Sequence, residues 1–155
     1  MLVKTKYFGE IDLEEDKIIT FPNGIFGFED CKKYTILYNN ENGERPSISW
    51  LQSLEVQGLA LPVISPDLVY KDYNPSINDD LLQALGQVND DNMIVLLTLT
   101  VPKDVTKMTT NLKAPIIINC DTKVGCQIVA ENEEYVIKYP VYEQLNGNSE
   151  KKGEM

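Results

Sequence analysis

This 155-residue sequence predicts a mainly β fold: a small antiparallel β-barrel-like single domain with one short amphipathic helix. Three observations predict it. Short runs rich in β-branched and aromatic residues recur between turn signals such as Pro22-Asn23-Gly24 and Asn42-Gly43. The longest apolar run, Asn92 to Val101 (NMIVLLTLTV), has the length and side chains of a strand buried on both faces or nearly so. Only the segment from Ser76 to Gly86 carries a helical spacing.

The elements follow in order. VKTKYFGEIDL alternates weakly and breaks at Gly9, and KIITF runs into the Pro22-Asn23-Gly24 turn. KYTILYN reads as a strand ending in a loop that holds Asn42-Gly43. SISWLQSL and GLALPVIS follow, joined at Gln57-Gly58. Pro62 in the second cannot donate to a ladder, which marks an edge or a bulge. In SINDDLLQALG, Ile77, Leu81 and Leu85 recur every four residues and Leu82 widens the stripe. Ser76 or Asn78 caps the start, Asp79 and Asp80 occupy the dipole-favoured first turn, and Gly86 fits the left-handed position past the end. The helix is expected over about residues 77–85. APIIINC and GCQIVA form the last strand pair, through DTKV. Pro102 to Ala114 reads as an irregular connection of a length that is usually functional or mobile. Residues 1–145 make the domain, and the tail 146–155 (NGNSEKKGEM) is expected to be disordered.

The charge bounds the partners. A net charge of −10 repels nucleic-acid phosphates and anionic lipid, because both require Lys and Arg. No direct nucleic-acid or membrane partner is expected. A basic protein suits such a surface, although charge also serves solubility alone. No run approaches the ~18 apolar residues of a membrane span, and the start lacks an apolar secretory region. The cytoplasm is the expected location.

The residues also bound the chemistry. The sequence has no histidine, which removes the common triads, the H-E-x-x-H zinc site and most general bases near neutral pH. Cys31, Cys120 and Cys126 are odd in number and lack C-x-x-C spacing, as expected of buried thiols in a reduced compartment. DYNPSINDDLLQ imitates a calcium loop but has Ile77 where a glycine turns the chain and Gln83 where a bidentate glutamate is needed. The acidic pairs in LEED, NDD and ENEE read as solvated faces or helix starts. No catalytic set, metal or cofactor is expected.

Two segments stand out as candidate surfaces. In FPNGIFGFED, the apolar side chains Ile25, Phe26 and Phe28 either plug a barrel end, the favoured reading, or stand as a binding patch. Ahead of the last strand pair lies a polar ledge, Asn111-Leu112-Lys113-Ala114-Pro115. Asn111 tolerates unusual backbone angles, and Pro115 holds Ala114 extended. Leu112 and Lys113 are therefore fixed in a non-ladder presentation. Either Leu112 stands outward as an interface anchor beside Lys113, or it turns inward to cap the barrel while Asn111 satisfies loop backbone.

Several segments together resemble one family. TKYFGEIDLEEDKIITFPNGIFGFEDCKKYTIL, WLQSL, INDDLLQALG, VLLTLTVP and TTNLKAPIIINCDTKVGCQIV are similar, in that order, to the flagellar assembly factor FliW, over Lys4 to about Glu143. The resemblance implies a small cytoplasmic β-barrel-like protein without catalytic activity, and the free protein is expected to be a monomer. It implies binding to flagellin and, once flagellin is exported, to the RNA-binding translational regulator CsrA, which then no longer represses flagellin translation. It supplies no residue list. The candidate partner-binding residues come from chemistry: Asn111, Leu112 and Lys113 on the ledge, and Asp67, Asp72, Asp79 and Asp80 as an acidic face around the helix. Two other readings remain: a flagellin-only export chaperone, and a small barrel enzyme or ligand binder using carboxylates.

Overall fold

The computed structural model describes residues 1–38 and 47–145. The Asn42-Gly43 turn and the tail 146–155 lie outside the described residues.

Strands β1 (Leu2–Lys4) and β2 (Glu10–Asp12) form a hairpin of their own. Its loop closes where Thr5 donates from its N–H and its hydroxyl to the Gly9 carbonyl, with Gly9 at φ +66°. The remaining strands are β3 (Ile19–Thr20), β4 (Lys33–Leu37), β5 (Ile48–Ser53), β6 (Ala60–Ile64), β7 (Met93–Thr100), β8 (Thr109–Thr110), β9 (Ile116–Asn119), β10 (Val124–Gln127) and β11 (Tyr139–Pro140). Seven of them close a barrel in the order β3-β4-β5-β6-β7-β9-β10 and back to β3. Its pairs are antiparallel except the closing one, where β10 meets β3 in parallel at Val124 and Thr20. Closure removes the open edges that a sheet of this length would otherwise expose.

Strand β7 organises the molecule. One of its sides pairs with β9 through Met93–Leu96 and with β8 through Leu99–Thr100. Leu97 and Thr98 lie between these ladders, opposite Asn111 to Pro115. The ledge is thus a wide bulge that splits one long partner of β7 into β8 and β9. Pro115 sets the restart, since it has no N–H for the ladder. The connection 102–114 also holds a 3-10 turn at Val105–Lys107, so it is more regular than its sequence suggests.

Period-two alternation explains why Ile116, Ile117 and Ile118 are all apolar. Ile116 and Ile118 point into the barrel with Phe21, Ile25, Tyr34, Leu51, Val63 and Leu96. Ile117 points outward, where Leu85 and Ile128 cover it. Leu97 and Leu99 likewise leave the barrel to meet Ile64, Val69, Leu112, Tyr135 and Val141. The run Ile116–Ile118 is apolar throughout because something packs on each face.

The short helix is wound as a 3-10 helix over Asp79–Leu85. Asn78 caps it by accepting from the Asp80 N–H at 3.0 Å, and Gly86 follows at φ +78°. In a 3-10 helix residues three apart align, so Leu82 and Leu85 share the face turned to the sheet, with Leu85 fully buried. The side chain of Leu81 lies outside the described residues.

The FPNGIFGFED segment divides its apolar side chains instead of plugging with all of them. Phe21 and Ile25 are buried, whereas Phe26 and Phe28 are 50% and 40% exposed. A tight turn bridging Ile25 and Phe28 carries Phe26 at its tip, away from the barrel.

Candidate partner-binding groove

An open groove of about 630 Å³ lies beside the 3-10 helix. Ile77 and Leu82 line it from the helix side, Met93 and Val95 from β7, and Ile117 from β9. These are the outward faces of strands whose alternate residues fill the barrel. Asp67, Asp72 and Asp79 stand along it, and among the described residues no Lys or Arg lines it.

Each carboxylate arrives by a different route. Asp67 sits in a 3-10 turn, Pro66–Leu68, and accepts from the Ser65 hydroxyl at 2.6 Å. Asp72 occupies the left-handed region at φ +59°, which Asp and Asn tolerate better than most residues. Asp79 is the first residue of the 3-10 helix. Among the described residues, the Asp72 and Asp79 carboxylates have no hydrogen-bond or ion-pair partner. Both are exposed. Unpaired acids over an apolar floor can receive cationic groups from a ligand whose apolar side faces inward. Among the described residues no cluster of acids or cysteines could hold a metal ion.

The structure therefore brings together three of the four acidic candidates. Asp80 is exposed outside the groove lining and accepts from Gln83 Nε2 at 3.4 Å. The ledge residues are placed differently. Leu112 is 0% exposed, packed with Leu97, Leu99, Tyr135 and Val141, so its presentation as an outward anchor is corrected. The polar residues around it conceal this, because they serve the backbone. Asn111 donates its N–H to the Thr98 carbonyl and accepts at Oδ1 from the Lys113 and Ala114 N–H groups at 2.9 and 3.1 Å. Asn111 is thus tied to β7 rather than free of it. Lys113 is not a free outward cation either: its Nζ donates to the Asn132 carbonyl at 2.7 Å.

The ledge still touches the groove from behind. Tyr73, a groove residue, donates its hydroxyl to the Leu112 carbonyl at 2.7 Å. Burial, and then the nearby Tyr135, push the Tyr73 hydroxyl above its ordinary pKa, so it stays a donor at physiological pH. Its ring stacks on Tyr135 at 4.8 Å between centroids.

A second groove, of about 540 Å³, escaped the sequence reading. Ile48, Trp50, Ala60, Pro62 and Leu99 line it, and among the described residues Lys6 is its only charged one. Tyr7, 52% exposed, packs on Trp50 at 4.4 Å between centroids. The signal in the sequence was Pro62. Strand β6 pairs with β7 only from Val63 onward, so the sheet opens at Pro62 and leaves a trough.

Comparison with known proteins agrees with this architecture. A family model described as FliW protein matches residues 2–141. The flagellar assembly factor FliW of Lachnoclostridium phytofermentans is 59% identical over 151 residues, covering 97% of this chain and 97% of that protein. The flagellar assembly factor FliW of Lachnospira eligens is 55% identical over 146 residues, covering 94% of this chain and 97% of that protein. A crystal structure of the flagellar assembly factor FliW superposes with a TM-score of 0.81 at 28% identity, covering 90% of this chain and 96% of that one. Matched along nearly its whole described length in sequence and in barrel architecture, the chain belongs to the FliW family of flagellar assembly factors.

Proposed function

We propose that this protein is a non-enzymatic partner-exchange factor of the cytoplasm: it binds flagellin, and when flagellin is exported it binds CsrA and relieves repression of flagellin translation. The observation that carries this reading is the acidic groove. Its unpaired Asp72 and Asp79, with Asp67, stand over an apolar floor, and among the described residues no lining base neutralises them. A basic RNA-binding protein offers the complementary charge, and such complementarity mainly raises on-rate and selects partners. The groove at Tyr7 and Trp50 has the opposite character, apolar with a single Lys6, and suits flagellin segments that are exposed before assembly.

The test is binding of the purified protein to purified flagellin and to purified CsrA, each alone and in competition, with RNA binding to CsrA followed as this protein is titrated in. Two alternative complexes, with release of RNA, are expected. A complex with flagellin alone would reduce the protein to an export chaperone. Binding to neither would overturn the proposal in favour of a ligand-binding or catalytic barrel.

A further inference from the structure

The groove wall from Asp72 to Ile77 belongs to no strand or helix, yet it supplies five of the groove's residues. Side-chain bonds from the segment behind it hold it in place. Asn132 makes the central ones. Its Oδ1 accepts from the Ser76 N–H at 2.6 Å, and its Nδ2 donates to the Asn74 carbonyl at 3.2 Å. Its backbone carbonyl accepts from Lys113 Nζ at 2.7 Å. On either side, the Glu131 N–H donates to the Ser76 carbonyl at 2.8 Å, and the Asn74 N–H donates to the Tyr135 hydroxyl at 2.7 Å. A carboxamide offers one acceptor and a two-donor nitrogen, so it can stand in for a strand edge against a loop that has none. Aspartate lacks the donor, and leucine of similar size lacks both groups.

We propose that Asn132 is a positioning residue for the acidic groove: its amide fixes the Asp72–Ile77 wall so that Asp72 and Asp79 face one ligand, and its carbonyl ties that wall to the ledge through Lys113. The inference rests on the reading of the groove as the site for a basic partner. It gives the ledge a purpose that needs no partner contact: Leu112 anchors in the core, while its carbonyl and Lys113 brace the wall.

The experiment uses the full chain with Asn132→Leu and Asn132→Gln. Amide hydrogen exchange reports the wall at Ser76 and Glu131 and the barrel at β7 and β9. The association rate with purified CsrA at low salt reports function. Asn132→Leu is expected to raise exchange at Ser76 and Glu131 while β7 and β9 stay protected. It should slow CsrA association several-fold, and Asp72→Asn added to it should then slow association little further. Asn132→Gln, which restores both groups on a longer arm, should recover part of the protection and part of the rate. Should the Leu variant lose its fold, Asn132→Ser, too short to reach Asn74, is read in the same way. Unchanged exchange at Ser76 overturns the inference. So does raised exchange with an undiminished rate, provided that Asp72→Asn and Asp79→Asn in the parent do slow association. If those two substitutions leave the parent's rate unchanged, the reading of the groove fails, and the positioning role falls with it.

Discussion

Leu112 sits among Asn, Lys and Ala in a stretch that looks solvated, yet it is among the most deeply buried side chains in the protein. Sequence reasoning left its direction open because direction depends on where β7 and the segment 130–141 pass, and neither is local. Truncating it leaves a cavity, so Leu112→Ala is expected to lower the unfolding free energy by about 2–5 kcal/mol in urea denaturation. Residual folded protein should still bind CsrA. Glu55 offers a second test at this scale. Its Oε1 accepts the N–H groups of Lys32 and Lys33 at 2.6 and 2.8 Å. These two hydrogen bonds first, and the charges of Lys33 and Lys32 after them, hold the carboxyl below its ordinary 4.5. A depressed folded pKa stabilises above the unfolded value, and the gain disappears as pH falls through the folded one. The advantage of the parent over Glu55→Gln should therefore be small but present at neutral pH, and should vanish in acid below 4.5, as read by urea midpoints across that range. Cys126 is simpler: burial pushes its thiol up to about 11, so alkylation at pH 8 should be slow there.

At the scale of elements, alternation and caps were legible because they are local. The isoleucine run, the caps at Asn78 and Gly86, and the break at Pro62 all read directly from side-chain chemistry. What could not be read was pairing. The single parallel contact between β10 and β3 and the split of β7 between β8 and β9 depend on residues far apart in the chain. Helix type was hidden for a different reason. The four-residue recurrence of Ile77, Leu81 and Leu85 points to the 3.6 period, whereas the helix begins only at Asp79, and its Leu82 and Leu85, three apart, fit the 3.0 period. Leu85→Ala should cost about 2–5 kcal/mol by the same cavity argument, since Leu85 closes over Ile117 and Ile128. A lost partner with unchanged thermal unfolding would instead make the stripe an interface. Gly125 tests the barrel interior: a Cβ there would lie 2.7 Å from the Phe21 ring, so Gly125→Ala should cost about 1–3 kcal/mol through overpacking.

At the scale of the molecule, barrel closure turns local alternation into outer troughs, the two described grooves among them. One is floored by apolar residues and rimmed by acids; the other is aromatic with one lysine. The sequence indicated an acidic face around the helix. It could not indicate that Asp67, Asp72 and Asp79 share a groove that Asp80 does not line, because their convergence needs the wall braced by Asn132. Steering of a basic partner by these carboxylates is read from the CsrA association rate at low and high salt, for the parent, for Asp67→Asn/Asp72→Asn/Asp79→Asn together, and for Asp80→Asn. Asparagine suits the left-handed backbone at Asp72, so the triple variant should keep its fold. Salt at physiological strength screens exposed charges beyond about 8 Å. The parent's rate should fall steeply with salt, the triple variant should be slow at low salt and nearly indifferent to salt, and Asp80→Asn should stay close to the parent. A parental rate independent of salt, or an equal loss from Asp80→Asn, would contradict steering and leave the net charge a matter of solubility.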